Sequence, residues 1–487
     1  METDAASRAL TAGHGRATRD ELREARAHRR AMGWQAGTVP KGPQRDRDDP
    51  SRADGVRPDV RAAAGPVLGE ADLARIDRIL GDTDRLLAEQ YPGDDGSRQP
   101  VHTVYVPADR YTPALPREWG AAARAAVAAH GGMDAVVGEM GVPEAFAADV
   151  ASFVEAKLDT EPIEDLRLDF EDGYGDRGDD TEDADVRRAA EQVATAVAEG
   201  SAPAFIGIRF KCLEARTRGR GIRSLDLFLA TLLEAGELPP GLMLTLPKVT
   251  TVAQVEAMAQ LCRRFEEHHG LASGRLRFEM QVETPQIVLG PDGTSPLAVA
   301  IHAADGRVSG LHYGTYDYTA SLGIAPDHQT MDHPAADHAK NVMQVAAAQT
   351  GVRLSDGSTN ILPVGDAAAV RAAWSLSVRL TRRSLERGYY QGWDLHPAQL
   401  VPRFVANALF YREGLAQAVT RLRDYVHRTE SGVRDEPATA RALAGFVARG
   451  IACGAITERE AADATGIDLA ALTALAHSKP ATTEEPA

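Results

Sequence analysis

Eight short runs rich in β-branched and aromatic residues, set apart by stretches of helical periodicity, limit what this chain can fold into. They are VHTVYVP (101–107), DLRLDFED (165–172), AFIGIRF (204–210), LMLTLPK (242–248), RFEMQVET (277–284), RVSGLHYG (307–314), NILPVG (360–365) and GWDLHP (392–397). Each reads as a strand from its apolar spacing and flanking turn residues. Stretches such as 183–199, 222–235, 251–268, 334–350 and 366–388 are long enough to cross back and keep successive strands parallel. The pattern predicts an α/β fold, a closed (β/α)₈ TIM barrel, with an open doubly wound sheet as the alternative. No GxGxxG or Walker-type glycine-rich loop follows an early strand, so neither a dinucleotide nor a P-loop site is indicated.

The remaining chain is organised around that barrel. Residues 1–65, with KGPQRDRDDPSRADGVRPD, are too polar to bury an apolar face and are expected to be a disordered or loosely helical arm. The barrel is expected over 66–400, with a helical insertion near 113–160, followed by a helical extension over 401–475 and a flexible tail over 476–487. Within the extension, Thr457 and Glu460 have capping-box spacing and Gly466 marks a helix end. No basic recognition helix accompanies them, so the extension reads as a cap or a homo-oligomer contact.

Composition narrows the function classes. A net charge of −16 disfavours nucleic-acid binding, because any phosphate backbone would be repelled. No stretch reaches the ~18 apolar residues of a membrane span. The N-terminus lacks the apolar core of a secretion signal, which places the expectation in the cytoplasm. Cys212, Cys262 and Cys453 have no ligand spacing and read as free thiols.

Barrel enzymes carry their chemistry at the C-terminal ends of strands. There the sequence places Asp169, Glu171 and Asp172, then Arg209 and Lys211, Lys248, Glu283, His312, Tyr313 and Asp317, and finally Asp394 and His396. Two carboxylates from neighbouring strand ends, Glu283 and Asp317, suit Mg²⁺ (or Mn²⁺), which takes hard oxygen ligands and keeps positions for water or substrate. Taken singly, either acid would more often cap a turn or form a surface ion pair. Arg209 can clamp a substrate carboxylate in a two-pronged fork that lysine cannot reproduce. Glu171 and Asp172 can hold its guanidinium from behind.

These residues resemble the HpcH/HpaI aldolase and citrate lyase β-subunit superfamily, whose barrel also underlies malate synthases. VYVPADR resembles the opening strand, LDFEDGYG the LDLEDAV strand, IGIRF the VRVN strand and LTLPKV the MLPKV strand. QVETPQ and LHYGTYDYTASLG are similar to the segments carrying the metal-binding glutamate and aspartate, and WDLHPAQ to the closing IHPxQ element. Any one motif is weak, but seven in order are specific. The chain departs from the pattern at Lys211, where asparagine can stand, and at His312 and Tyr313, where smaller residues are often found.

The resemblance implies a carbon–carbon lyase or aldolase acting on a 2-oxo acid or related carboxylate through a metal-stabilised enolate. Glu283 and Asp317 would hold the metal, while Arg209, Lys248 and Asp172 would bind substrate. Arg209, His312 and Glu171 are the candidate catalytic groups. His396 is expected to anchor the last βα turn, and a Schiff base on Lys248 ranks below metal chemistry. Two other readings stay open. One is a malate-synthase-like enzyme condensing a CoA thioester, and the other is a noncatalytic barrel binding a protein partner.

Overall fold

The computed structural model describes residues 68–427 and 436–477. By compactness the chain divides into Met1–Arg75 and Ile76–Ala487. The expected arm over 1–65 and most of the expected tail lie outside the described residues. The helix Glu70–Gln90 has no buried residue.

Eight parallel strands follow, β1 His102–Pro107, β2 Asp165–Asp169, β3 Phe205–Arg209, β4 Leu242–Leu246, β5 Phe278–Val282, β6 Val308–Tyr313, β7 Arg353–Ser355 and β8 Gly392–Asp394. Each of β2 to β7 pairs with its predecessor, β8 pairs with β1, and a parallel bridge between Ser355 and Gln391 closes the ring. The fold is the predicted (β/α)₈ barrel.

One strand differs from its prediction. β7 is Arg353–Ser355, and 360–365 is irregular. Pro363 lacks the N–H that a ladder needs. Ile361 and Val364 remain 52% and 53% exposed, so the apolar run there is not a buried strand.

The two faces of the sheet divide by chemistry. Val104, Leu166, Leu168, Ile206, Ile208, Leu244, Leu246, Met280, Val282 and Leu311 are buried on the outer face, where helices cover them. Thr103, Tyr105, Asp165, Arg167, Arg209, Thr245, Glu279, Gln281 and His312 alternate with these and point into the barrel. Hydrogen bonds between nonadjacent strands fix that direction. Arg167 on β2 reaches Glu279 on β5 at 2.5 Å, and Trp393 on β8 reaches His312 on β6 at 2.8 Å. Barrel interiors are usually filled by branched apolar residues, whereas this one is polar and internally hydrogen-bonded.

Three helices, Leu115–Ala129, Met133–Glu139 and Glu144–Thr160, fill the long connection between β1 and β2. After β8, the helix Leu400–Val426 packs on the barrel and sends Arg403 to Asp394 at 2.9 Å. Asp394, read from sequence as a mouth residue, also bonds His102 Nδ1 at 2.8 Å and lies on the outer face instead. The helices Pro437–Ala452, Glu458–Thr465 and Leu469–His477 complete the extension. Thr457 and Glu460 form the expected capping box and Gly466 the left-handed C-cap.

Candidate active site

The C-terminal end of β2 turns sharply, because Asp169 accepts the N–H groups of Glu171 at 2.9 Å and Gly173 at 2.8 Å. A Cβ at residue 173 would come within 2.6 Å of Asp169 Oδ2, so the turn needs glycine there. The same carboxylate accepts both Nε and Nη2 of Arg209, at 2.7 and 2.6 Å. Arg209 is thus gripped from one edge by its register partner on the neighbouring strand. Its Nη1 lies 3.5 Å from Glu171, and its guanidinium stands 4.8 Å above the Tyr105 ring. Burial disfavours its charge, but Asp169 and Glu171 hold the pKa above its ordinary value.

Lys248 follows Pro247 in a left-handed backbone conformation, with φ of 49°. Such strain in a non-glycine residue persists only where the surroundings fix it. Here its N–H donates to Glu283 Oε1 at 2.7 Å. Its ammonium donates to Glu171 at 2.6 Å and Asp172 at 2.7 Å and lies 3.7 Å from Asp317. One lysine therefore serves carboxylates from two loops. Burial lowers its pKa, and those neighbours, Glu171 first, more than reverse the effect.

Glu283 is 2% exposed and Asp317, in the first turn of Thr315–Ser321, is about half exposed. Gly314 makes room for Glu283, since a Cβ there would overlap its Cβ and lie 2.5 Å from Oε2. Burial pushes the Glu283 carboxyl up to about 7; Lys248 opposes the shift and Asp317 adds to it. Glu171 is also pushed up to about 7 by burial, with Arg209 opposing and Asp172 adding.

Among the described residues no group of three or more His, Cys, Asp or Glu side chains is arranged around a metal position. The pair Glu283 and Asp317 fits a hard divalent cation by another criterion. Both donors are carboxylate oxygens, Asp317 adds to the cost of ionising Glu283, and Gly314 makes room for the buried one. Water or substrate oxygens would complete the shell.

The structure brings Arg209, Glu171, Asp172, Lys248, Glu283 and Asp317 into one cluster. It places His312 elsewhere, 1% exposed inside the barrel, with Nε2 3.0 Å from Glu279 and Nδ1 accepting from Trp393. His396 caps the turn after β8 through Ala398 N–H at 3.1 Å, as expected. Tyr105, Glu279 and Trp393 were missed by sequence reasoning, and Asp169, placed at the mouth, was given no role. The signal was present in the alternation: Asp165, Arg167 and Asp169 are interleaved with leucines, and Glu279, Gln281 and Glu283 with Phe278, Met280 and Val282.

A family described as "Domain of unknown function (DUF6986)" matches residues 80–480. Solved structures similar to this chain include a Haloferax volcanii malate synthase, native at 3 mM glyoxylate, at 15% identity and TM-score 0.43, covering 78% of this chain and 97% of that one. A Mycobacterium tuberculosis citrate lyase β subunit, complexed with oxaloacetate and magnesium, gives 18% identity and TM-score 0.37, covering 64% and 98%. A HpcH/HpaI aldolase/citrate lyase family protein of Burkholderia cenocepacia J2315 gives 15% identity and TM-score 0.34, covering 67% and 98%. No curated protein matches the sequence.

Proposed function

The chain belongs to the DUF6986 family, and from the chemistry of its barrel mouth we propose that it is a divalent-metal-dependent carbon–carbon lyase or aldolase acting on a 2-oxo acid or related carboxylate. What carries this reading is the cluster in which Glu283 and Asp317 stand beside an arginine already anchored by Asp169. The ordered motifs that resemble the citrate lyase β-subunit superfamily agree with it.

In this reading Glu283 and Asp317 hold Mg²⁺ or Mn²⁺. When bound, the cation supplies a Lewis acid that polarises a carbonyl oxygen and offsets growing negative charge. Arg209 orients the substrate carboxylate. Asp169 occupies its Nε and Nη2, which leaves Nη1 as the donor edge for substrate and keeps the fork from rotating. Lys248 keeps Glu171 and Asp172 in place and offers positive charge beside the substrate. Glu171 has a carboxyl near 7 and adjoins Arg209, so it can hold or accept a proton at its Oε atoms close to neutrality. His312 has both ring nitrogens engaged and takes no proton-transfer role in this mechanism.

Calorimetric titration with Mn²⁺ tests the metal assignment before any substrate is known. Wild type should bind one cation, and Glu283→Ala and Asp317→Ala should lose that binding while keeping the far-ultraviolet dichroism of the barrel. Retention of full affinity in either variant removes that residue as a ligand. The metal-loaded protein should then cleave or form a carbon–carbon bond in a screen of small 2-oxo and hydroxy acids. Turnover that requires acetyl-CoA with glyoxylate would move the activity to a condensing enzyme.

A further inference from the structure

Two helices of the outer ring stand apart. Arg218–Ala235 packs on Asp179–Ala198 and Val252–His269 packs on Pro296–Ala303, but the first and third of these scarcely touch each other. Between them runs a groove formed by two adjoining cavities of about 980 and 370 Å³, which share Ile222, Leu261 and Arg264. Its floor is apolar, with Leu213, Leu225, Phe265 and Leu276 buried around the half-buried Ile222 and Leu261. Its banks are basic. Arg216, Arg218 and Arg264 line it, exposed, against the acids Glu214 and Asp226, and none of the three arginines makes an ion pair among the described residues. In a chain of net charge −16 such uncompensated cations mark a place that an acidic surface can meet. From Ala253 to His269 the groove follows about 24 Å of helix, at 1.5 Å per residue.

The same chain carries a helix of the matching kind. Glu70–Gln90 holds six acids against three arginines and buries none of its residues. Over residues 76–90, Ile76, Ile79, Leu80, Leu86 and Leu87 recur at helical spacing along one side and are 44% to 61% exposed. Asp77 and Asp84, seven residues apart, edge that stripe on one flank. These 15 residues extend about 22 Å, close to the length of the groove. An exposed apolar stripe and an exposed apolar groove of opposite charge are both surfaces that call for a partner.

We propose that the groove between Arg218–Ala235 and Val252–His269 receives residues 76–90 of a second copy of this chain, the apolar stripe on its floor and Asp77 and Asp84 against its arginines. Reciprocal exchange closes the pair, because each copy gives one helix and fills one groove. The helix of the same copy does not reach. Its C-terminal end is held where the Tyr91 ring meets His302 of Pro296–Ala303 at 5.1 Å and the Gly93 N–H donates to Gln349 O at 2.8 Å. Val252–His269 stands between that anchor and the groove. Tyr91 and Pro92, the two residues that link helix to anchor, span only about 7 Å.

Sedimentation equilibrium of the full chain measures the association, and wild type should dimerise. Leu80→Arg on the helix and Ala257→Arg in the groove change exposed positions that the fold does not need. Each should weaken the dimer by at least about tenfold. Ile361→Glu alters an equally exposed apolar residue on the far side of the barrel and should leave the dimer unchanged. Cross-linking with a short bismaleimide identifies the occupant, since Cys212, Cys262 and Cys453 are buried. A copy with Leu80→Cys mixed with a copy with Ala257→Cys should give a covalent dimer, and neither copy alone should. A covalent dimer from Leu80→Cys alone would show helix paired with helix and overturn the groove as its seat. Cross-linking within monomers of the Leu80→Cys, Ala257→Cys double variant would overturn the second copy as donor. A monomeric wild type, or a dimer indifferent to Leu80→Arg or Ala257→Arg, would overturn the proposal outright and leave the metal reading of the mouth untouched.

Discussion

Glu279 and Glu283 lie four residues apart along the same side of one strand path, one on β5 and one just past its end, and they are equally buried at 4% and 2% exposed. Their carboxyls are nonetheless pushed in opposite directions. Burial would raise Glu279, but the charge of Arg167 first and then the contact with His312 pull it down to about 2. Burial raises Glu283 to about 7, and Lys248 does not cancel that rise because it is shared with Glu171 and Asp172 and because Asp317 adds to it. Burial is common to both sites, so the difference comes from the ratio of cations to anions around each. One layer down, Arg167 and His312 both meet Glu279, Arg167 is shared only with Asp165, whose carboxyl burial keeps raised, and the result is structural. At the mouth, carboxylates exceed the cations that serve them, and perturbed acids in such a place are what a functional site requires.

The largest effect expected from this contrast is on folding. Arg167 is fully buried and is the shared partner of Asp165 and Glu279. Arg167→Met leaves two acids in the barrel interior without their cation, and removing one partner of a buried charge pair typically costs about 3–5 kcal/mol. Lys248→Met at the mouth removes a cation that is 23% exposed and two of whose carboxylate neighbours, Asp172 and Asp317, are about half exposed, so it should cost less than Arg167→Met. Urea denaturation of the two variants measures both. If Lys248→Met is the more damaging, the division into a structural layer and a functional layer is wrong.

The next effect is on metal affinity. Gly314→Ala introduces a Cβ into the space of Glu283 without removing any charge. Displacing a ligand's support commonly costs about 10–100-fold in metal affinity. Mn²⁺ titration of Gly314→Ala should show a loss in that range with the fold retained. An unchanged affinity would mean that the Glu283 position is not what the cation reads.

Acid should separate the layers further. Because the folded pKa of Glu279 lies below its ordinary 4.5, its ionised form stabilises the fold. That contribution is present above about 4.5 and is lost as pH falls through about 2. Glu279→Gln should therefore be less stable than wild type at neutral pH by a few kcal/mol, and the gap should close between those two values. A gap that stays constant from pH 7 to pH 2 would show that the loss comes from packing rather than from charge.

Much of this arrangement could be read in the sequence, and the parts that could not have a common cause. The strand pattern yields the barrel because apolar spacing reports which residues face the helices, and that information is local. The Asp169 fork on Arg209 depends on register between β2 and β3, which no single strand encodes. Asp394 and His312 were both expected at the mouth from their positions near strand ends; parity decides otherwise for Asp394, and depth in the barrel for His312. Asp394 shares the outward face with Val104, its register partner, and His312 lies one layer below the strand terminus. The interval from 360 to 365 misled for a different reason, since its apolar residues stay at the surface. The interleaved acids of β2 and β5 were the overlooked clue. They show that the inside of this barrel is polar along its length, so a charged residue on a strand is not by that fact a residue of the mouth.

The smallest expected effect lies outside both layers and calibrates them. Thr457 Oγ1 accepts from Glu460 N–H at 3.1 Å, while Glu460 Oε1 accepts from Arg412 of the long helix Leu400–Val426 at 2.5 Å. Thr457→Ala removes a single N-cap and should cost about 1 kcal/mol. Glu460→Ala should cost somewhat more, because it removes its half of the capping box and also the contact that ties the cap to the long helix. Neither substitution touches a residue of the barrel, so Mn²⁺ affinity in both should equal that of wild type. A drop in affinity with either would show that the helical extension bears on the mouth. The contrast between Glu279 and Glu283 would then have to be measured with the extension's contribution held constant.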